Sequence, residues 1–424
     1  MINLTISAIA SNQGKTILTT ALLYYFKKSV RPFKIGPDFI DPQFHKIVCG
    51  TPSVNLDSFI MTEKQITWLY NHYSDKEVSI LEGVMGFYDG ENKGCSAYSV
   101  SKLLNIPTIL ILDGSGSYIT ISAVLKGLLE YKENNTIKAI VLNNLSSNMH
   151  FNLIKNQIEK DHKDISVLGW IEKNLLSLKS THLGLDLDNI SKIELISRDV
   201  LKHIDMQTLS KIGFTNRKIE NLNYPFPKIE KIDKKLTIVN DKNFSFLYYD
   251  NLSFLKEVFR KVEIIDSTKD EVISKNSDIV YICGGYVETD RAYEVIKEST
   301  NFKNSLIEHS KKRYIYAECA GLLYLSKRVD TKEMSGVLDI EFTLDKRFNR
   351  LGYYYNEKGL KGHAFHYTKP TKDTLKKGFD ILSKTLNQKG ENGSWQSSNK
   401  RVFATYLHSM FRSQSSSNLL FSSL

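Results

Sequence analysis

The stretch ILEGVMGFYDG (Ile80–Gly90) opens as an apolar strand, delivers a carboxylate at Glu82, and breaks into a loop carrying Gly83, Gly86, Asp89 and Gly90. Strands of an open α/β sheet present their ligand-binding groups at the C-terminal end, where this acid and these glycines fall. Alone, the stretch is equally a buried strand that ends in an ordinary turn. The residues before it decide between the two.

Leu4–Ala8 reads as a strand, Ser11–Thr16 (SNQGKT) as a loop, and Ile17–Lys27 as a helix with Leu18, Leu22, Tyr25 and Phe26 on one face. Strand, glycine-containing loop, GKT and helix form a phosphate-binding arrangement. Ser11, Asn12, Gln13 and Gly14 offer backbone N–H groups, Lys15 reaches the outer phosphates of ATP, and Thr16 ligates Mg²⁺. Glu82 then occupies the place of the second nucleotide motif of P-loop enzymes, whose acid holds Mg²⁺. The first glycine of the usual loop is missing; Ala8 and Ile9 stand there. Between the two motifs, RPFKIGPDFIDPQFHKIVCGTPSVNLD (Arg31–Asp57) sets Asp38 and Asp41 beside two prolines, which predicts a loop and not regular helix. With Asn55 and Asp57, these acids suit Mg²⁺ or a polar substrate, although Asp-Pro pairs also cap turns.

Further on, Pro107–Gly116 reads as a buried strand ending at Asp113, and Ala139–Asn143 as another. Apolar strands alternating with helical stretches predict a doubly wound, mostly parallel sheet. Ile190–Phe214 looks helical. Asn221–Lys235 combines two prolines with a run of charges and marks a boundary. The expected layout is therefore 1–222, a linker over 223–235, a second α/β domain over 236–413, and a serine-rich, frayed tail over 414–424.

In the second domain DIVYICGG (Asp278–Gly285) is a strand running into paired glycines, and YIYAECAGLLYL (Tyr314–Leu325) is a strand, a turn at Cys319 and a helix. A thiol at a helix N-terminus is a nucleophile elbow, where the helix favours the thiolate and the next N–H serves an oxyanion. A buried cysteine acting as a small hydrophobe reads the same way. A nucleophilic thiol needs a base, and His363, His366 and His408 are the candidates.

The composition bounds the rest. At 424 residues, 41% hydrophobic and 25% charged, the chain describes a globular protein of two or three domains. No apolar run approaches the ~18 residues of a membrane span, and the N-terminus lacks the basic segment of a signal peptide. Four cysteines without a CxxC pair point to a reducing cytoplasm and away from zinc. The net charge of +10 suits an acidic partner, but the lysines form no concentrated stripe, which argues against nucleic acid.

GKT, KIGPDFIDP, NLD and EGVMGFYDG, in this order and spacing, resemble the cobyrinate a,c-diamide synthase family, dethiobiotin-synthetase-like P-loop amidoligases fused to a class I glutamine amidotransferase domain. Gly94–Ala97, His150, Leu168–Trp170 and His182–Leu185 also fall on family positions, so the resemblance runs from residue 4 to about 413. It implies an α/β architecture with a P-loop sheet followed by a flavodoxin-like amidotransferase domain. It further implies ATP with Mg²⁺ held by Thr16, Glu82 and Asp38, an adenine contact at Asn143, and substrate contacts from Asp38, Asp41 and Asp89. In the second domain it implies Cys319 as nucleophile, His408 as base, and oxyanion N–H groups from Gly285 and Ala320, with no third catalytic member. The implied reaction amidates the a and c carboxylates of a corrinoid polycarboxylate through acyl phosphates, with ammonia from L-glutamine. Departures are Ala8 for glycine, Ala364 for the glutamate of GHEFHY, and Met410 where the family has a second histidine. Rival readings are the same chemistry on hydrogenobyrinate or nickel sirohydrochlorin, cobyric acid synthesis, and a P-loop switch like the MinD/ParA septum-site and partition ATPases. The last would have no use for a cysteine elbow. The sequence does not fix an oligomeric state, a homodimer being one option.

Overall fold

The computed structural model describes residues 1–173, 175, 180–181, 184–185, 190–215, 222–373, 375, 381–386, 390–414 and 420. His182, Leu183 and most of the serine-rich tail lie outside them. The chain divides into two compact units, Met1–Pro225 and Phe226–Leu424.

The first unit is built on a seven-stranded parallel sheet. Its elements are β1 (Ile2–Ala8), α1 (Lys15–Phe26), β2 (Val30–Ile35), α2 (Ile40–Cys49), β3 (Val54–Leu56), α3 (Glu63–Tyr73) and β4 (Val78–Gly83). They continue with α4 (Ala97–Leu104), β5 (Thr108–Asp113), α5 (Ile119–Glu130), β6 (Ile137–Leu145), α6 (Asn148–Asp161) and β7 (Ser166–Glu172). The strand order is β3-β2-β4-β1-β5-β6-β7, so β1 lies centrally between β4 and β5. Both faces are covered, so β1, β4 and β5 are buried almost throughout, β1 even at its polar positions Asn3, Thr5 and Ser7. Leu18, Ala21 and Leu22 of α1 share one buried cluster with Leu4 and Ile6 of β1 and with Ile193 and Ile196 of the helix Ile190–Leu201.

Asp41 and Pro42 lie inside α2, contrary to the expected loop. The first helical turn has no intrahelical N–H bonds to lose, so a proline there costs nothing. The Asp38 carboxylate caps this helix, accepting from the N–H groups of Ile40 at 2.8 Å and Asp41 at 3.3 Å.

The second unit has a six-stranded sheet. Its order is Phe259–Ile265, Ile232–Val239, Ile279–Ile282, Tyr314–Glu318, Val402–Thr405 and Ser394–Gln396, with only the last strand antiparallel. The strand Ile232–Val239 begins within the stretch expected to be linker. Its first residues are charged because this end is exposed, and burial starts at Lys235. Residues 328–373 add a four-stranded sheet and the antiparallel hairpin Arg350–Tyr355/Lys361–His366. Among the described residues no helix is long and apolar enough to cross a membrane, and all four cysteines are buried and free.

Candidate active sites

In the first unit the β1–β4 register sets Ile6 against Glu82 and brings the acid to the start of α1. Glu82 is fully buried. Its Oε1 accepts the Thr16 hydroxyl at 2.9 Å, and its Oε2 meets His45 Nε2 at 2.7 Å. Lys34 stands opposite Glu82 in the β2–β4 register, with Nζ 3.4 Å from Oε1. The same ammonium pairs with Asp41 and lies 3.4 Å from Asp38. Burial alone would discharge such an amine; Asp41, Glu82 and Asp38 more than reverse this and keep it charged well above the usual range. Burial and the neighbouring Asp41 push Asp38 up. Burial would push Asp41 up too, but the Lys34 charge wins and holds it low.

The phosphate loop follows β1. Asn12 and Gly14 take positive φ of 60° and 95°, which turns the chain into α1 at Lys15. Ser11 and Asn12 are exposed, and Gln13 and Gly14 are half-buried. Lys15 curls back to donate to the Ala10 carbonyl at 2.8 Å. Burial, with Lys34 adding repulsion, lowers it to about 8, and a phosphate beside it would raise it again. Ala8, the missing glycine, is a fully buried strand residue whose carbonyl accepts from Phe87 N–H at 2.8 Å. Asn143 braces the loop by donating to the Gln13 carbonyl at 2.9 Å. Asp89 accepts the Gly86 N–H at 2.7 Å and closes its own turn.

Asn55 and Asp57, expected beside the acids as ligands, serve the backbone instead. Asn55 donates to the carbonyls of Gly36 and Asp38 at 3.0 and 2.8 Å, and Asp57 accepts from Phe59 and Ile60 at 2.9 and 3.0 Å. Among the described residues no three His, Cys, Asp or Glu side chains form a metal cage. The Thr16–Glu82 oxygen pair still fits Mg²⁺, which takes one or two protein oxygens with phosphates and water. Asp38 stands across the Lys34 ammonium from that pair.

The second unit gathers its chemistry at three adjacent strand ends. Ile279–Ile282 runs into Gly284 and Gly285, Tyr314–Glu318 into Cys319, and Val402–Thr405 towards His408. Cys319 has φ 46° and ψ −103°, outside the comfortable range of an L-residue, as a nucleophile elbow demands. The N–H groups of Ala320 and Gly285 both reach it. A Cβ on Gly284 would meet His408 Cε1 at 2.3 Å and Nε2 at 3.2 Å, so the imidazole lies over the same glycine turn. The thiolate is not favoured at rest, contrary to expectation. Burial and then the Glu288 charge push the thiol far up, while the two N–H groups only oppose them. The helix at its back, Ala320–Leu325, is too short to outweigh that.

Of the three candidate bases, His366 is committed elsewhere. It stacks on Tyr406 with centroids 3.5 Å apart, and its Nδ1 meets the Thr368 carbonyl at 2.9 Å. His363 holds His408 by backbone, its N–H donating to the His408 carbonyl at 2.9 Å and its carbonyl accepting the His408 N–H at 2.8 Å. Burial lowers each of their imidazoles to about 3. His408 is buried beside Glu318, Nδ1 to Oε2 being 3.0 Å.

A carboxylate thus accompanies the candidate base, whereas the expectation was a pair without a third member. Spacing rules missed it because they look after the histidine, and Glu318 comes 90 positions earlier. Lys34, His45 and Glu288 were missed too. For Lys34 and Glu318 there was a signal: a charged residue inside an otherwise apolar strand.

Residues 4–185 match the family described as "CobQ/CobB/MinD/ParA nucleotide binding domain", and residues 235–416 the one described as "CobB/CobQ-like glutamine amidotransferase domain". The cobyrinate a,c-diamide synthase of Methanocaldococcus jannaschii is 34% identical over 86% of this chain and 86% of its own. That of Fusobacterium nucleatum is 32% identical over 96% of each chain. That of Listeria monocytogenes is 32% identical over 96% of this chain and 95% of its own. A solved glutamine amidotransferase from Thermotoga maritima superposes with a TM-score of 0.31 and 14% identity over 42% of this chain and 76% of its own, too slight a likeness to argue from.

Proposed function

The chain belongs to the cobyrinate a,c-diamide synthases, glutamine-hydrolysing carbon–nitrogen ligases, and from that premise we propose that it amidates the a and c carboxylates of cobyrinate at the expense of ATP and glutamine. The observation that carries the reading is the pair of N–H groups, from Gly285 and Ala320, that converge on Cys319 with His408 over the same turn.

His408 takes the thiol proton as Cys319 Sγ attacks the side-chain carbonyl of glutamine. The Gly285 and Ala320 N–H groups receive the oxyanion. The tetrahedral adduct collapses as His408 returns the proton to the leaving nitrogen, which departs as ammonia. Water, deprotonated by the same imidazole, then cleaves the thioester and releases glutamate. Because burial keeps the thiol protonated at rest, proton removal and attack have to be coupled.

In the first unit the loop Ser11–Thr16 wraps the phosphates of ATP, Lys15 reaches the outer ones, and Asn143 lies towards the base. Thr16 and Glu82 would hold Mg²⁺, with Asp38 nearby; the ion supplies charge neutralisation at the phosphates. A substrate carboxylate oxygen attacks the γ-phosphorus and ADP leaves. Ammonia then displaces phosphate from the acyl phosphate and forms the amide. Asp41 and Asp89 orient the tetrapyrrole, and the Lys34 ammonium offsets the charge their side accumulates.

Cobyrinic acid incubated with ATP, Mg²⁺ and glutamine should gain two amides in succession, read by mass spectrometry. Cys319→Ala should abolish the reaction with glutamine and keep it with ammonium. No product with either nitrogen donor, from a protein that binds ATP, would remove cobyrinate as acceptor and direct the assay to other tetrapyrrole carboxylates.

A further inference from the structure

We infer that Glu318 is the positioning residue of His408, so that the carboxylate orienting the base comes from the position immediately before the nucleophile. The inference rests on the glutaminase reading of Cys319 and His408. Glu318 and His408 are 2% and 1% exposed, so their 3.0 Å contact is shielded from solvent. Glu318 is held from two further directions. The Tyr281 hydroxyl donates to Oε2 at 3.1 Å and the Tyr316 hydroxyl to Oε1 at 3.0 Å.

The arrangement follows from strand pairing. Tyr281 pairs with Tyr316 and Glu318 with Thr405, across three neighbouring parallel strands. Tyr281 stays a donor, since burial and then the Glu318 charge push its phenol far above the ordinary range. Anchored by two phenols, the carboxylate accepts the Nδ1–H of His408. The tautomer is thereby fixed, and Nε2, the nitrogen over the Gly284–Gly285 turn, is left as the basic atom. A buried carboxylate also stabilises the imidazolium that forms when the thiol gives up its proton. Since the thiol is pushed up by its surroundings, that stabilisation bears directly on attack. Cys319 and the carboxylate that orients its base thus share one strand end, and a shift of that strand moves nucleophile and orienting group together.

The other titratable groups around the pair separate cleanly. His363 and His366 are neutral down to about 3, and burial pushes Cys283 and Tyr406 far up. Glu288 is raised by burial to about 7, which brings its titration near neutrality.

The test uses the full-length protein and two readouts. The first is kcat and KM for glutamine. Glu318→Gln keeps the shape and removes the charge, and should lower kcat about 10²–10⁴-fold with KM within about twofold. The second is the pH profile of Cys319 alkylation by iodoacetamide, which needs neither glutamine nor acceptor. Without the carboxylate the imidazolium and its thiolate partner form less readily, so the midpoint should move to higher pH. Running both proteins also with Glu288→Gln removes the competing titration. Ammonium-driven amidation and thermal unfolding report folding of each variant. If Glu318→Gln fails to fold, Tyr316→Phe carries the test. It keeps the charge, loses one anchor, and should lower kcat about three- to tenfold. A folded Glu318→Gln variant with kcat within about twofold of the parent and an unmoved alkylation midpoint overturns the inference. So does a folded Tyr316→Phe variant with both readouts unchanged. A wild-type protein that hydrolyses no glutamine, yet shows the shifted alkylation midpoint on Glu318→Gln, would sink glutamine as donor and leave the role of Glu318 standing.

Discussion

Glu288 lies three residues beyond the Gly285 N–H, and its Oε2 is buried without a hydrogen-bond partner among the described residues. Burial raises this carboxyl to about 7, with Lys332 pulling the other way. The folded-state pKa thus exceeds that of the unfolded chain, ~4.3 for a free Glu. The proton is held more tightly in the fold, so this group's contribution to stability is complete below about pH 4 and is lost as the pH rises through 7. Glu288→Gln should therefore be the more stable protein at pH 8, by about 1–3 kcal/mol. The two should converge below about pH 4, as thermal melts followed by circular dichroism across that range would show. Equal melting at pH 8 would mean that the carboxylate is solvated in solution. At this scale the sequence was partly legible. Cys319 and Thr16 declare themselves through their neighbours, whereas the partners of Glu318, His45 and Lys34 are set by strand pairing. His45 meets Glu82 across 37 positions, a contact that no local pattern encodes.

Strand ends carry nearly everything in this protein that the sequence disclosed. Runs of apolar residues fixed where strands stop, and both phosphate loop and cysteine elbow begin there. Irregular pairing was harder to foresee. The hairpin strand Lys361–His366 does not join the main sheet, but touches it through the two His363–His408 backbone bonds. That contact needs Gly362, because a Cβ there would come within 2.4 Å of the His408 carbonyl oxygen and 2.6 Å of the Leu407 side chain. Gly362→Ala has to push the hairpin from the His408 segment and release the base from its anchor. A displacement of about 1 Å at a reacting group costs on the order of 10²-fold. The glutaminase rate should fall by about that factor while ammonium-driven amidation stays intact, and the His408 amide should exchange with solvent faster. A parent-like glutaminase rate in a folded Gly362→Ala variant would mean that the strand end alone holds His408. The same reasoning explains why α2 was misjudged from Pro42: a proline reports on the turn before it, and that turn was the helix's own beginning.

Each unit carries its own buried core, one over Leu4–Leu209 and one over Leu236–Leu420. The two-domain plan was readable because apolar strands recur on both sides of the charged, proline-bearing stretch, although the second sheet starts inside that stretch, at Ile232. A core that is complete without its neighbour can melt without it. Calorimetry should resolve two transitions, and ligands should move them separately. ATP with Mg²⁺ binds at Lys15, Thr16 and Glu82 in the reading proposed above, so at 100 times its Kd it should stabilise the first unit by about 2.7 kcal/mol. The transition of the second unit should stay in place. Alkylating Cys319, which is buried under the Gly285 and Ala320 N–H groups, should move the second transition and leave the first. A single transition shifted by either treatment would mean that the two cores melt as one cooperative body. Nucleotide binding at the first would then change the opening equilibrium of the thiol site in the second, a coupling measurable as the effect of ATP on the alkylation rate.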